Sequence, residues 1–346
     1  MPAADRDRRP PIGGVALRRL LVWTLRLSGA VLFRRKLAAA LAQCTEACPS
    51  LGPKGHTVLR VEGQAGPLAL RLYEPSQMPL AMRHLVLKAF AQRRGIRCAS
   101  TVAWGEVSLA GQRSFAVLEE WVTGQRALQW TPELAYTLGC DMARWHEVQV
   151  PAVVAAAMGL RTYHPAAYRQ YTVRLRETQQ PCGSLVEELS RSLEALDSPD
   201  FLGRWAFSHG DVHGRNILSQ PEGRLVWLDL DLAQYRPQRH DLAWAEWILL
   251  RHSPASMEAF ERGYFQTCPG DQAGWQEQRL GWYRLCCALR ATRLCLRSSR
   301  EPALEPLREK WLALSTASWQ VQDQGQPSSD LVASITRLAQ GPLQAA

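Results

Sequence analysis

The stretch AFSHGDVHGRNILSQPEGRLVWLDLD, residues 206–231, decides the fold of this chain. It holds Asp211, Asn216 and Asp229 at short spacing, because Asn216 follows Asp211 by five residues and Asp229 follows Asn216 by thirteen. Residues 225–228 are all apolar and stand directly before Asp229, which predicts a buried strand. The SQPEG segment before that strand predicts a hairpin turn. A strand-loop-strand unit therefore carries all three polar side chains.

These three side chains have the chemistry that phosphoryl transfer requires. A base must orient the acceptor hydroxyl, and oxygen ligands must hold Mg²⁺ on the phosphates of the nucleotide. A kinase catalytic loop uses an Asp and then an Asn for these tasks, followed by a second Asp. Asp211, Asn216 and Asp229 occur in that order.

The segments HGDVHGRN and WLDLD resemble the catalytic and metal-binding segments of the aminoglycoside phosphotransferase and choline kinase superfamily. The resemblance covers residues 45–340. It implies an α+β, protein-kinase-like fold of two lobes, with a small antiparallel-sheet N-lobe and a larger, mainly helical C-lobe. The alternative is that the HGD turn and the strand-end aspartate serve only as turn and cap residues.

The same resemblance assigns roles to individual residues. Asp211 would be the catalytic base, and His209 would brace its loop. Asn216 and Asp229 would bind the metal, and Asp231 would assist with a second metal ion.

Arg215 departs from the family pattern, in which a small residue commonly precedes the metal-binding asparagine. A cation four residues after the base would stabilise charge that develops at the acceptor or at the transferred phosphoryl group. A solvated or aspartate-paired arginine is the alternative.

The N-lobe is predicted to begin near residue 50 with a hairpin, in which VLRVE and LALRLY flank the turn GQAG. Alternation along the second strand places Arg71 opposite the leucine face. The family would have its phosphate-binding Lys at this strand. Lys54 lies in the preceding glycine-containing loop, LGPKGHT, which could cover nucleotide phosphates.

A helix is predicted next, and it ends at Arg94 and Gly95. Five apolar residues at helical spacing predict its buried face: Met82, Leu85, Val86, Ala89 and Phe90. No acidic residue occurs between Glu74 and Glu106, so the family's pair of strand Lys and helix Glu cannot form. Arg71 or Lys54 would have to bind the phosphates instead.

SFAVLEEWVTG, residues 114–124, predicts a strand and a linker that resemble the hinge of the family. There the backbone at Glu120 and Val122 would receive the adenine ring. We therefore divide the chain into three parts, a basic arm (1–44), an N-lobe (45–124) and a C-lobe (125–340).

The C-lobe is predicted to open with a helix capped by Thr131 and Pro132. His146 near its end is expected to be a satisfied core residue. About sixty residues separate it from His209, and this helical insertion resembles small-molecule kinases more than lipopolysaccharide-core kinases. Asp241 would be a helix cap that secures the catalytic loop.

Two further helices, near residues 272–298 and 303–320, complete the predicted C-lobe, with their tryptophans in the core.

Composition is that of a soluble globular protein, with 46% hydrophobic and 21% charged residues. Nine cysteines without a CxxC pair favour a reducing cytoplasm over a zinc site or a disulfide framework. Residues 1–44 hold nine Arg or Lys against two Asp, so most of the net charge of +9 belongs to this arm. Its apolar segment is too short and too charged to span a bilayer. The arm predicts either a helix packed on the N-lobe or peripheral contact with an anionic membrane.

The sequence thus predicts a kinase that transfers the γ-phosphoryl group of ATP, or of GTP, to a hydroxyl of a small molecule or sugar with Mg²⁺. The candidate acceptors are aminoglycosides, amino alcohols and sugars. The alternatives are a kinase for lipopolysaccharide-core or other membrane-anchored sugars and a nucleotide-binding pseudokinase. Nucleic-acid binding is disfavoured, because aromatic and basic residues are not interleaved outside the arm.

Overall fold

The computed structural model describes residues 50–51, 57–63, 66–109, 112–160, 162, 165–177, 183–250, 253–298 and 301–320. The predictions for the basic arm and for Lys54 lie outside these residues. The chain forms two compact units. The first contains the described residues up to Gly124, those of Gln149–Arg161, and Val226–Ala233; the second contains the rest.

The first unit is built on a five-stranded antiparallel sheet with strand order β1-β2-β3-β5-β4. Its strands are β1 (Ser50–Leu51), β2 (Thr57–Gly63), β3 (Gly66–Tyr73), β4 (Thr101–Leu109) and β5 (Gln112–Glu120). The predicted hairpin is confirmed, since β2 and β3 pair from Thr57↔Leu72 to Gly63↔Gly66. β3 also pairs with β5, which brings the candidate phosphate-binding strand beside the candidate hinge strand.

Both faces of this sheet are covered by apolar groups. One face carries Val61, Leu70 and Leu118 in a buried cluster. The other face carries Tyr73, which packs with Met82 of the helix α1 (Met78–Arg93). Arg71 points to this second face, so it lies beneath a helix and its side chain is only 11% exposed.

The predicted end of α1 is confirmed, because Arg94 is its C-cap and Gly95 has a φ of 75°. Its predicted buried face is wrong except for Met82. The buried residues are Ala81, Met82, His84, Leu87, Lys88 and Ala91. The helix is rotated so that His84 and Lys88 turn inward to a buried carboxylate on β5, which would be strongly unfavourable without partners.

The second unit is mainly helical. Its helices are α2 (Pro132–His146), α4 (Pro165–Glu177), α5 (Gly183–Glu194), α6 (Pro199–Leu202), α7 (Gln238–Trp244), α8 (Pro254–Thr267), α9 (Gln272–Ser298) and α10 (Glu305–Gln320); α3 (Ala152–Ala157) belongs to the first unit. The predicted Thr131 cap is confirmed, since its hydroxyl accepts the N–H of Leu134. The two predicted C-terminal helices are confirmed as α9 and α10, and Trp275, Trp282 and Trp311 are buried.

Short strands frame the central stretch of the chain. They are β6 (Gln125–Arg126), β7 (Trp205–Ser208), β8 (Ile217–Ser219), β9 (Leu225–Trp227) and β10 (Gln234–Pro237). β7 pairs with β10 and β6 pairs with β8, both antiparallel. The predicted turn before β9 and the burial of that strand are confirmed. Within the described ranges no helix is long and apolar enough to cross a membrane.

Helices α2 and α8 approach each other through two glycines. A Cβ at Gly139 would clash with the carbonyl oxygen of Phe260, and a Cβ at Gly263 would clash with that of Tyr136. The two backbones are therefore in direct contact, and there is no space for a methyl group between them.

We expect Gly263→Ala to lower the free energy of unfolding by about 1 to 3 kcal/mol, because the added methyl must push the two helices apart. Chemical denaturation followed by circular dichroism measures this loss. Gly270→Ala is the matched control, since no atom lies within 4 Å of its added Cβ. Equal stability of the two variants would contradict the packing argument.

Candidate active site

The loop after β7 carries the predicted catalytic residues. Gly210 has a φ of 83°, a conformation that L side chains rarely adopt, and it turns the chain between buried Ser208 and the partly exposed Asp211. The side chain of Asp211 is 32% exposed. The loop therefore presents one carboxylate that solvent and a ligand can reach.

Asn216 is bound to Asp211. Its side-chain Nδ2 donates to the backbone oxygen of Asp211 at 3.0 Å and to Oδ2 of the same residue at 3.1 Å. Because the amide nitrogen faces Asp211, the amide oxygen of Asn216 faces away from it. That oxygen is the atom which could ligate a cation.

Three further residues of the loop differ in their surroundings. His209 is buried, its ring meets the edge of Trp145 at 5.5 Å, and its Nδ1 accepts the N–H of Asp211. His213, which the sequence reasoning missed, has Nε2 3.5 Å from Oδ2 of Asp211. Arg215 is exposed. The contacts of His209 suit a residue that braces the loop, whereas His213 lies beside the carboxylate itself.

A buried charged network supports the loop from below. Arg236 donates to the carbonyl oxygen of Gly210 at 3.3 Å and lies 3.6 Å from Asp241. Asp241 accepts from Nε2 of His146 at 3.2 Å, and Nδ1 of His146 meets the hydroxyl of Tyr264 at 2.6 Å. His146 is thus confirmed as a satisfied core residue.

The prediction that Asp241 caps a helix is wrong. Pro237 is the N-cap of α7, and Asp241 lies inside the helix with its side chain turned into the core. A capping carboxylate would accept hydrogen bonds from backbone N–H groups. Asp241 instead has Arg236, His146 and His240 as its partners in the core.

The first unit contains the other predicted ligands, Asp229 and Asp231. Asp229 is partly exposed and has a φ of 56°, in the left-handed region that is rare for residues other than glycine. Asp231 is buried, with its carboxylate 3.8 Å from Nδ1 of His84. Their environments therefore differ: Asp229 is partly exposed, and Asp231 is buried and faces a histidine.

Arg71 lies in an ion-pair cluster that sequence reasoning did not find. Its Nε is 2.7 Å from Oε2 of Glu119, on β5. The other oxygen of Glu119 receives Nε2 of His84 at 3.0 Å and also binds Nζ of Lys88. A Lys and a Glu do pair in this unit, but the helix supplies the cation and a strand supplies the acid.

Electrostatics favour the charged forms of Glu119 and Arg71. Burial alone would raise the pKa of Glu119, but His84, Arg71 and Lys88 outweigh it and hold that pKa well below its usual range. Burial alone would lower the pKa of Arg71, but Glu119 and Asp229 raise it above its ordinary value. Arg71 is therefore a permanent cation near Asp229.

In the predicted hinge, two of the three backbone N–H groups of residues 120–122 form hydrogen bonds. The N–H of Glu120 donates to Ser100 and that of Trp121 donates to Pro67. In the described part of the chain the N–H of Val122 has no hydrogen-bond partner. The contact of this hinge with adenine stays a prediction.

A comparison with protein-family profiles identifies the class of protein. Residues 50–280 match the profile of the APH family, a phosphotransferase enzyme family, and the chain belongs to it. The predicted superfamily is thereby confirmed. A comparison with curated protein sequences finds no match.

Solved structures confirm the two-lobed, protein-kinase-like fold. A macrolide 2′-phosphotransferase from Brachybacterium faecium aligns with a TM-score of 0.56 and 19% identity, over 77% of this chain and 89% of that one. A choline/ethanolamine kinase family protein from Mesorhizobium loti gives 0.59 and 16%, over 88% and 98%. An AMP-bound spectinomycin phosphotransferase gives 0.53 and 12%, over 83% and 92%. At these identities the similarity establishes the fold.

We expect Glu119→Gln to destabilise the first unit by about 3 kcal/mol, because it removes the carboxylate that two buried cations share. Lys88→Met should cost less, about 1 kcal/mol, since Glu119 keeps Arg71 and His84 as partners. Chemical denaturation compares the two. Glu120→Gln, at the exposed neighbouring position, is the control. A larger loss in Lys88→Met than in Glu119→Gln would contradict the arrangement.

The pH dependence of the free energy of unfolding should reflect the protonation of His240. This residue lies 3.3 Å from Arg236 and 3.4 Å from Asp241. Burial lowers the pKa of His240 to about 4 from its ordinary 6.5. As pH falls from 6.5 to 4 the unfolded chain takes up this proton and the folded chain does not, so stability is lost across that window.

The expected loss from this group is on the order of 3 kcal/mol. Denaturant melts of the wild type and of His240→Gln at pH 7, 5.5 and 4 measure it. The wild-type curve should fall more steeply with acid, and parallel curves would show that His240 does not contribute.

Proposed function

We propose that this protein transfers the γ-phosphoryl group of ATP to a hydroxyl group of a small molecule, with Mg²⁺. The observation that carries the proposal is the loop carboxylate of Asp211, which is accessible and is bound by the side chain of Asn216 at 3.1 Å. An Asp and an Asn linked in this way are the base and the metal ligand of a kinase catalytic loop.

Asp211 is the group that would accept the proton of the acceptor hydroxyl. A base must lie within hydrogen-bond reach of that proton, so its carboxylate has to be both exposed and rigidly held. Three hydrogen bonds hold the loop rigidly. Asn216 donates to the carboxylate of Asp211, the N–H of Asp211 donates to His209, and Arg236 donates to the carbonyl oxygen of Gly210. Arg215, exposed on the same loop, is proposed to approach the developing charge.

The donor set suits Mg²⁺. Asn216 offers an amide oxygen and Asp229 a carboxylate, and Mg²⁺ takes oxygen ligands from one or two protein groups together with waters and phosphates. Within the described ranges no cluster of three or more His, Cys, Asp or Glu side chains able to hold a metal occurs. When bound, the ion would neutralise charge on the transferred phosphoryl group. Asp231 is proposed to support it indirectly, since its carboxylate is buried beside His84.

The first unit is proposed to bind the nucleotide. Arg71 would contact its phosphates, and the backbone at Glu120 and Val122 would contact adenine. The structural relative with bound AMP supports a nucleotide at this fold. The contact of Lys54 with the phosphates and the use of GTP stay predictions from the sequence.

A nucleotide-binding protein without turnover is the second candidate. The observation that favours it is the ion pair of Arg71 with Glu119, because a guanidinium held by a carboxylate has fewer donors for phosphate.

Asp211→Asn should reduce turnover by about 10²- to 10⁴-fold, because it removes the base while preserving shape. Nucleotide consumption by the purified protein is measured across a panel of aminoglycosides, amino alcohols, sugars and hydroxy acids. Asp197→Asn, an exposed aspartate away from this loop, is the matched control.

Asp229→Ala should instead weaken Mg²⁺-dependent nucleotide binding, which isothermal titration measures. Undiminished turnover in Asp211→Asn would remove the assignment of the base. Nucleotide binding without turnover in the wild type, across the whole panel, would favour the second candidate.

A further inference from the structure

Helix α9 carries an unusual run of arginines: Arg279, Arg284, Arg290, Arg293 and Arg297. The last three stand at positions i, i+3 and i+7, which lie on one face of a helix. Like charges at this spacing repel each other. Such an arrangement is stabilised when an anion lies close to that face.

Two arginines of α9 have carboxylate partners. Arg279 binds Glu246 at 2.9 Å and Glu261 at 3.0 Å, and Arg297 binds Glu301 at 2.8 Å. Arg290 differs from these two. In the part of the chain that the structure describes it has neither an ion pair nor a hydrogen bond, although its Nε is buried.

The position of Arg290 on the helix directs it toward the catalytic loop. One turn earlier, Sγ of Cys286 lies 4.0 Å from the carbonyl oxygen of His240. His240 adjoins Arg236, which donates to Gly210, the residue directly before Asp211. Residues four apart share a helix face, so Arg290 lies on the face of α9 that carries Cys286.

The charges that affect the pKa of Arg290 include that of Asp211. Burial lowers the pKa of Arg290, and Arg293 and Arg297 lower it further, while Asp211 opposes them. Arg293 lies over the ring of Tyr171 at 5.9 Å. Arg290 is thus close enough to Asp211 to interact with its charge, and two further cations of α9 lie near it.

We propose that Arg290 binds an anionic group, a carboxylate or a phosphate, on the acceptor whose hydroxyl Asp211 activates. The guanidinium fork binds two oxygens of such a group at once, and the bond is charge-assisted. A half-buried guanidinium without a partner is costly, and an oxyanion offsets that cost. This inference rests on the proposed function and narrows it to hydroxy acids and sugar or polyol phosphates.

The acceptor, and not the nucleotide, is the partner that this placement favours. Arg290 belongs to the same unit as Asp211, the group that contacts the acceptor hydroxyl. The nucleotide phosphates have Arg71 as a candidate cation in the first unit. A cationic acceptor such as an amino alcohol would meet like charge beside the base.

Four compounds with one polyol skeleton and different charge test the proposal: glycerol, glycerate, glycerol 3-phosphate and 2-amino-1,3-propanediol. Their affinity is measured by thermal shift and titration calorimetry, and nucleotide consumption is measured in parallel. Inorganic phosphate serves as a fifth probe. All binding is repeated in Arg71→Ala, so that the phosphate site of the nucleotide does not account for the signal.

The wild type should bind glycerate or glycerol 3-phosphate at least about tenfold more tightly than glycerol or the amine, the gain of one charged hydrogen bond. Whichever anion binds better identifies the group as carboxylate or phosphate. Arg290→Gln should abolish this preference, and Arg290→Lys should restore it only in part. Arg297→Gln, on the same helix but paired with Glu301, should retain it.

Two outcomes would overturn the inference. One is an anion preference that persists in Arg290→Gln, and the other is a loss of nucleotide affinity in that variant with acceptor affinity unchanged. Anion binding that depends on Arg290 without nucleotide consumption would support the anion site while removing the proposed function. The failures of the two proposals are thus distinguishable.

Discussion

The structure of the first unit depends on one buried carboxylate, that of Glu119. It binds Arg71 of the neighbouring strand together with Lys88 and His84 of α1, so one acid joins the sheet to the helix that covers it. His84 also approaches Asp231, which extends the cluster to the segment after β9. Because a buried acid without partners is strongly unfavourable, this cluster determines which face of α1 turns inward.

The second unit uses the same principle beneath the catalytic loop. Asp241 is buried between Arg236 and His146, and Arg236 extends from it to the backbone of Gly210. A network of this kind holds a loop in one geometry when all its members have partners. The left-handed conformation at Gly210 is maintained in this way, and Asp211 is presented with little freedom to reorient.

Two arrangements differ from the family pattern. The acid and the cation of the N-lobe pair exchange places, since Lys88 comes from the helix and Glu119 from the strand, and the cluster still fixes Arg71 near Asp229. The second is Arg290 of α9, whose proposed partner is an anionic group on the acceptor.

The sequence by itself determined the features that depend on neighbouring residues: the β2–β3 hairpin, the Thr131 cap, the C-terminal end of α1, the strand before Asp229, and the order of Asp211, Asn216 and Asp229. Only the tertiary structure decided the buried face of α1, the place of Asp241 and the partner of Arg71. The hydrophobic periodicity of a helix depends only on the residues of that helix. It therefore does not indicate a charge that lies on a strand elsewhere in the chain. Glu119 is 31 residues from Lys88 and 48 from Arg71, and as a buried acid it requires these cations as partners.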